Sequence, residues 1–167
     1  LNKNILIPYL NQICNNKMCL FKDKINWKMP GGKGFLAHQD YPAWNGYPNS
    51  FYTSIAIPVD PMTIENGCLE MSPYDKHELM DYDEQKMGNL NKQIENNLNW
   101  VPIETSLGDI VIFNSFVPHR SGPNKSKDPR RIFYFTYNYE SEGNYYDQYF
   151  KDKRKFFPQD CERDENT

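Results

Sequence analysis

The stretch Gly34-Phe35-Leu36-Ala37-His38-Gln39-Asp40 predicts a short strand that ends in a histidine and an aspartate two positions apart. Side chains at positions i and i+2 of a strand point to the same face, so His38 and Asp40 can present an imidazole and a carboxylate to one metal ion. An H-x-D triplet alone is unspecific and favours a surface pair. Its meaning therefore depends on the segments around it.

Short segments rich in β-branched and aromatic residues, separated by Gly and Pro turns, lie on both sides of this stretch. They predict strands at residues 25–29, 34–38, 51–59, 68–71, 100–104, 109–113 and 131–139. A short helix is expected over residues 4–14, and the polar residues 74–99 are expected to form an insertion with one or two helical turns. Many short strands with helix confined to one end predict a mainly β fold, a sandwich or jelly roll with a few flanking helices.

A second histidine and an arginine lie at the ends of later strands. His119 follows the predicted strand pair 109–113 and 115–118. Two imidazoles and one carboxylate form the facial ligand set of non-haem Fe(II), which leaves adjacent positions open. Arg130 opens the last strand, and a guanidinium binds a carboxylate through two hydrogen bonds, as an anchor for a dicarboxylic acid requires.

Length, composition and charge exclude several classes of protein. The chain has 167 residues, 38% of them hydrophobic, and a net charge of -3, which indicates one compact domain and disfavours a nucleic-acid partner. No stretch approaches the roughly 18 apolar residues of a membrane span, so no membrane partner is expected. The four cysteines show no zinc-ligand spacing, and we expect free thiols in a reducing cytoplasm.

The ends of the chain indicate a piece of a larger protein. The first residue is Leu1, and the apolar run that follows reads as the middle of a helix. We expect residues 1–167 to form a single domain that lacks N-terminal elements. Its core is expected at about 25–140, with a charged, solvated tail at 151–167 in which Phe156 and Phe157 could dock.

Four motifs occur in a specific order. They are the run 34–44 around His38 and Asp40, the turn Glu65-Asn66-Gly67-Cys68-Leu69, the strand Gly108-Asp109-Ile110-Val111-Ile112-Phe113, and the run 119–126 followed by Arg130. Over about residues 27–140 they resemble the phytanoyl-CoA dioxygenase family of Fe(II)/2-oxoglutarate-dependent oxygenases. The resemblance implies a single oxygenase domain built as a double-stranded β-helix, a cupin-like jelly roll.

The resemblance also implies a site and a reaction. His38, Asp40 and His119 would bind Fe(II), Arg130 would hold the distal carboxylate of the cosubstrate 2-oxoglutarate, and Ser121 would assist it. In the implied reaction O2 would be consumed, a small organic substrate would be hydroxylated, and succinate and CO2 would be released. Related halogenases lack the carboxylate so that chloride can bind, so the presence of Asp40 favours hydroxylation.

Other side chains are candidates for binding. Lys28 lies on the strand that approaches the site and is predicted to contact the cosubstrate or an anionic substrate, with a solvated lysine as the alternative. Tyr41, Trp44 and Tyr52 follow the H-x-D triplet and are predicted to line a substrate pocket, with core packing as the alternative. Tyr134 shares the face of Arg130 on the last strand and is a candidate neighbour of the site.

His77 lies one position away from a histidine of the family pattern, and we interpret it as a loop residue rather than a ligand. Acidic residues in the insertion would make the mouth unfavourable for coenzyme A phosphates; these are Glu78, Asp81, Asp83 and Glu84. We therefore expect a free metabolite, such as an amino-acid derivative, an alkylamine or a short organophosphonate. The alternatives are a non-catalytic cupin-like metal-binding module and a lectin-like β-sandwich without metal.

Overall fold

The computed structural model describes residues 3–83 and 88–157. Ten strands and three α-helices occur in this part of the chain. In chain order they are α1 (Lys3–Ile13), β1 (Met18–Lys28), β2 (Phe35–His38), β3 (Tyr52–Pro58), β4 (Leu69–Met71), β5 (Tyr82–Asp83), β6 (Asn89–Leu90), α2 (Lys92–Asn97), β7 (Val101–Ile103), β8 (Val111–Asn114), β9 (His119–Ser121), β10 (Arg130–Tyr139) and α3 (Tyr146–Phe156).

The strands form two antiparallel sheets. One has the order β1-β10-β3-β8, and the other has the order β5-β6-β2-β9-β4-β7. A core cluster joins them, because Ala56 and Ile132 of the first sheet pack with Leu69 of the second. The prediction of a mainly β fold with few helices is confirmed.

Helices α1 and α3 pack against the four-stranded sheet, where both contact β1. Leu10 of α1 is fully buried with Met18 and Ile55. Tyr149 of α3 lies against Phe21 of β1, with ring centroids 4.9 Å apart. Residues 151–156, predicted as part of a solvated tail, continue this helix because Tyr149 anchors it. Phe156 and Phe157 are exposed, and the rest of the predicted tail lies outside the described residues.

Three segments differ from the sequence prediction. Strand β1 begins at Met18 rather than at residue 25, because the whole segment pairs with β10 from Met18–Tyr139 to Lys28–Arg130. Residues 115–118 form a turn rather than a strand, with the Val117 amide donating to the Asn114 carbonyl. The insertion 74–99 contains helix α2 and also adds β5 and β6 to the edge of the second sheet.

Cys14, Cys19 and Cys68 are free thiols, as predicted, and Cys161 lies outside the described residues. Within the described ranges, no helix is long and apolar enough to cross a membrane.

Candidate active site

Two neighbouring strands bring the candidate metal ligands together. His38 at the end of β2 pairs directly with His119 at the start of β9. Asp40 follows β2, and its amide donates to the Ser115 carbonyl at 3.0 Å, which fixes the chain where it leaves the sheet. The Asp40 carboxylate oxygens lie 3.8 Å from Nε2 of His38 and 3.8 Å from Nε2 of His119.

The backbone at Gly34, just before β2, packs closely against the backbone of β9, which explains why this position is a glycine. A Cβ atom on Gly34 would overlap the carbonyl oxygen of Ser121, two residues after His119. Only a residue without a side chain lets the two strands approach in this way. Gly34 is therefore part of what holds the two histidines in register.

The protonation of both imidazoles is set by the backbone. Nδ1 of His38 lies 2.6 Å from the Leu36 carbonyl oxygen, and Nδ1 of His119 lies 3.0 Å from the Val117 carbonyl oxygen. A carbonyl only accepts, so each Nδ1 carries the proton and donates it. Each Nε2 therefore presents its lone pair toward Asp40, which is the orientation a metal ligand requires.

Electrostatics favour the same protonation states. Burial lowers the pKa of His119 to about 4, so its imidazole is neutral near pH 7. Burial acts to raise the pKa of Asp40, but the two imidazoles and the ammonium groups of Lys22 and Lys24 outweigh it, so this pKa lies below its ordinary value. A neutral imidazole at His119 and an ionised carboxylate at Asp40 are the forms that bind a divalent cation.

The donor set fits a non-haem iron site. One ligand atom from each of His38, Asp40 and His119 lies within 4.8 Å of the other two. Two nitrogens and one carboxylate oxygen on one side of an ion leave the opposite side open for other ligands, as Fe(II) oxygenases require. A closed structural zinc site would need a fourth protein ligand, and the described residues present no other candidate in this group.

Arg130 faces the same cavity as the metal ligands and lacks a partner of opposite charge. Its side chain is 2% exposed. Nε makes no hydrogen bond, and Nη1 contacts only the Met62 sulfur, at 3.8 Å, among the described residues. Burying a guanidinium without hydrogen bonds destabilises the folded protein by roughly several kcal/mol unless a ligand supplies an anion. An acidic small molecule in the cavity would supply such an anion.

Ser121 lies on the cavity wall with one hydrogen-bonding group free. Its Oγ accepts hydrogen bonds from Nζ of Lys28 at 2.9 Å and from the Phe35 amide at 3.2 Å. A hydroxyl has two lone pairs and one proton, so the proton of Ser121 is left to donate. That arrangement suits a carboxylate acceptor in the cavity.

Lys28, predicted to contact the cosubstrate or the substrate, is not among the residues that line this cavity. Its three ammonium protons have acceptors in the chain: Ser121 Oγ and the carbonyl oxygens of Gly67 and Gly122. Burial also lowers its pKa to about 8. Lys28 holds two loops and the Ser121 hydroxyl in place rather than binding a ligand directly.

The three aromatic residues predicted to line the pocket pack elsewhere. Trp44 and Tyr52 are buried around Phe21, with a Trp44–Tyr52 ring distance of 5.0 Å. The ring of Tyr41 stacks on Phe116 at 4.5 Å. None of the three lies on the cavity wall, because this cluster fills the space between β1 and the 3₁₀ turn at Tyr41–Trp44.

Two further predictions concern single residues. Tyr134 lines the cavity, and burial raises the pKa of its hydroxyl, so it stays protonated. His77 lies in the loop between β4 and β5, where its ring packs against Phe51 and Phe116 at 5.3 and 5.7 Å. It is not grouped with the candidate metal ligands.

Sequence reasoning missed two lysines of the cavity. Lys22 and Lys24 of β1 line it together with the candidate metal ligands. Of the acidic residues predicted at the mouth, Glu78 and Asp81 are not on its wall, and Glu84 lies outside the described residues. Polar residues at every second position from Lys22 to Lys28 indicate a strand with one polar face, which would have identified both lysines. A predicted strand that begins at residue 25 leaves both lysines out, whereas β1 begins at Met18.

Comparison with known proteins agrees with this geometry. The sequence profile of the phytanoyl-CoA dioxygenase (PhyH) family matches residues 4–132. The chain is 41% identical to a 2-aminoethylphosphonate dioxygenase of the uncultured bacterium HF130_AEPn_1 over 154 residues, which cover 92% of this chain and 58% of that protein. It is 42% identical to a methylphosphonate hydroxylase of Gimesia maris over 140 residues, covering 84% of this chain and 53% of that one. The chain thus spans little more than half the length of these relatives.

Solved structures share the fold. EctD from S. alaskensis, solved with 2-oxoglutarate and 5-hydroxyectoine, superposes with a TM-score of 0.68 at 17% identity, over 82% of this chain and 50% of that chain. The epimerase SnoN, solved with Fe3+ and alpha ketoglutarate, gives a TM-score of 0.68 at 17% identity, over 80% and 54%. The jelly-roll prediction and the sequence resemblance are both confirmed: the chain belongs to the phytanoyl-CoA dioxygenase family.

Proposed function

We propose that this protein is an Fe(II)- and 2-oxoglutarate-dependent dioxygenase that hydroxylates a small organic substrate and releases succinate and CO2. One observation carries the proposal: the His38, Asp40 and His119 ligand set and the unpaired guanidinium of Arg130 face one cavity. Family membership and relatives named dioxygenase and hydroxylase support it. Bound Fe(II) supplies the activation of O2 by two-electron oxidation of the cosubstrate.

The chain contributes binding, orientation and the exclusion of water. His38, Asp40 and His119 hold the ion from one side and leave the other side to the cosubstrate and O2. Arg130 binds the distal carboxylate of 2-oxoglutarate through charge-assisted hydrogen bonds, and the free Ser121 proton donates to the same group. The surrounding core keeps bulk water from these buried charges, which strengthens both interactions.

We further propose that the substrate is a small phosphonate rather than an acyl-CoA thioester. The two relatives at 41% and 42% identity are named for 2-aminoethylphosphonate and methylphosphonate. Lys22 and Lys24 on the cavity wall supply the positive charge that such an anion needs. A panel that pairs free phosphonates with acyl-CoA esters tests this point, and succinate release that depends on thioesters alone contradicts it.

The reaction itself is tested with purified protein, Fe(II), 2-oxoglutarate and O2. We expect succinate formation that requires all three and that increases with a phosphonate substrate. A protein that binds the metal but neither binds 2-oxoglutarate nor forms succinate would instead be the non-catalytic metal-binding module. Absence of metal binding at His38 and Asp40 would favour a lectin-like binder.

A further inference from the structure

Strand β1 carries a row of polar side chains into the cavity. Lys22, Lys24 and Asn26 occupy alternate positions, opposite Thr136, Tyr134 and Ile132 of β10, and all three line the same cavity as the metal ligands. Alternate residues of a strand share a face, so the two ammonium groups and the amide form one surface. This surface is separate from the Arg130 and Ser121 groups already assigned to the cosubstrate.

Lys22 is buried without an acceptor. Its side chain is 7% exposed, and its Nζ lies 4.2 Å from the centroid of the Trp44 ring and 5.6 Å from that of Tyr149. Within residues 3–83 and 88–157, no carboxylate or carbonyl forms an ion pair or hydrogen bond with it. An aromatic face orients an ammonium but does not replace a hydrogen-bond acceptor. A ligand in the cavity can supply that acceptor.

Lys24 lies at the rim of the cavity. Its side chain is exposed, and its Nζ lies 5.2 Å from the centroid of the Tyr134 ring. Both lysines line the cavity that also contains His38, Asp40 and His119. One cation inside and one at the rim can contact a single anion from two sides.

The charges of the cavity do not balance without a second anion. In the proposed function, Fe(II) and Arg130 are balanced by Asp40 and the two carboxylates of 2-oxoglutarate. Arg120 is the other arginine on the described wall, and Glu70 and Glu95 already bind it at 2.7 to 3.2 Å. Two positive charges, those of the β1 lysines, are left over.

We propose that the anionic group of the substrate, a tetrahedral oxyanion, binds between Lys22 and Lys24, with the Trp44 ring holding Lys22 from behind. This inference rests on the proposed function and extends it by naming the residues that select the substrate. A doubly charged phosphonate matches the two ammonium groups in charge. Its oxygens accept hydrogen bonds from several directions, as two flexible ammonium groups require.

Isothermal titration tests the inference without turnover. Mn(II) replaces iron, 2-oxoglutarate is present, and methylphosphonate, inorganic phosphate and the neutral dimethyl methylphosphonate are titrated. Lys22→Met should weaken methylphosphonate binding ~30-fold or more, since it removes a buried charge-assisted contact. Lys24→Met should weaken it about twofold to fivefold, because this contact is exposed. Lys17→Met is the control, since Lys17 is exposed just before β1, and it should bind as the wild type does.

The outcomes separate this inference from the proposed function. Wild-type affinity in Lys22→Met, or binding of the neutral ester as tight as that of the anion, overturns the lysine site. Tighter binding of inorganic phosphate than of methylphosphonate overturns the organic anion as the ligand. Failure of the wild type to bind 2-oxoglutarate overturns the proposed function instead. Lys22→Met should be at least as stable to heat as the wild type and should keep its 2-oxoglutarate affinity, so that a loss of anion binding is not a loss of folding.

Discussion

The ammonium group of Lys22, a residue of the cavity wall, lies 4.2 Å from the centroid of the Trp44 ring. Trp44 is held in turn by edge contacts to Phe21 at 5.9 Å and Tyr52 at 5.0 Å. An aromatic residue that follows the H-x-D triplet in sequence thus contacts a cation of the protein itself. In the proposed anion site it would act on a ligand through Lys22 rather than by direct contact.

This burial of Lys22 has a measurable effect on stability. Burial lowers its pKa from 10.5 to about 7, so in the unliganded protein the charged form is destabilised relative to the unfolded chain. Lys22→Met should therefore raise the free energy of unfolding at pH 7 by on the order of 3 kcal/mol.

The sign of the pH dependence follows from the same shift. Below pH 7 both states are protonated and the cost of Lys22 is complete, and it disappears as the pH rises toward 10.5, where the unfolded chain also loses the proton. The advantage of Lys22→Met should shrink between pH 7 and pH 10, as measured by urea unfolding of both proteins. An advantage that is constant with pH, or a loss of stability at pH 7, contradicts this prediction.

Asp40→Ala should abolish coupled turnover and weaken metal binding by more than ~100-fold, because it removes the anionic ligand of three. The side chain is partly exposed, so the fold should survive. Metal titration, succinate release and thermal unfolding measure the three effects. Asp75→Ala, in an exposed loop, should leave all three unchanged, and succinate formation at the wild-type rate in Asp40→Ala would refute the ligand assignment.

Arg130→Met should weaken 2-oxoglutarate binding by ~30-fold or more while leaving Mn(II) affinity nearly unchanged, because the guanidinium anchors the distal carboxylate and not the ion. The neighbouring arginine provides a matched control. Arg131 points away from the cavity and binds Asp60 through two hydrogen bonds of 2.8 Å. Arg131→Met should keep wild-type 2-oxoglutarate affinity, and an equal loss in both variants would show that the anchor is wrongly assigned.

Gly34→Ala should destabilise the protein by about 2 kcal/mol or more, since the new Cβ would overlap the Ser121 backbone and push β2 from β9. The same displacement separates His38 from His119, so metal affinity should fall as well. Gly46→Ala is the comparison, because a Cβ there meets nothing within 4 Å. Denaturant unfolding and metal titration of both variants decide the matter, and equal stability of the two would contradict the close-approach argument.

The grouping of His38 with Asp40 and the place of Arg130 at the start of the last strand could be predicted from the sequence because they depend on local periodicity. The two-residue spacing of His38 and Asp40 places them on one face of a strand, and a guanidinium that opens the last strand follows the same alternation. The family motifs then supplied the long-range pairing of His119 with the first two ligands. In the structure His38 of β2 pairs directly with His119 of β9.

The environment of these residues was decided only by the tertiary structure. Whether Trp44 faces a ligand or the core depends on how the 3₁₀ turn packs on Phe21. The ammonium group of Lys28 donates its hydrogen bonds to carbonyl oxygens of loops that are distant in sequence. Lys22 and Lys24 enter the cavity because β1 extends back to Met18 along β10, a pairing of residues more than 100 positions apart. Local alternation determines which face a side chain shares, but packing between distant segments determines what that face meets.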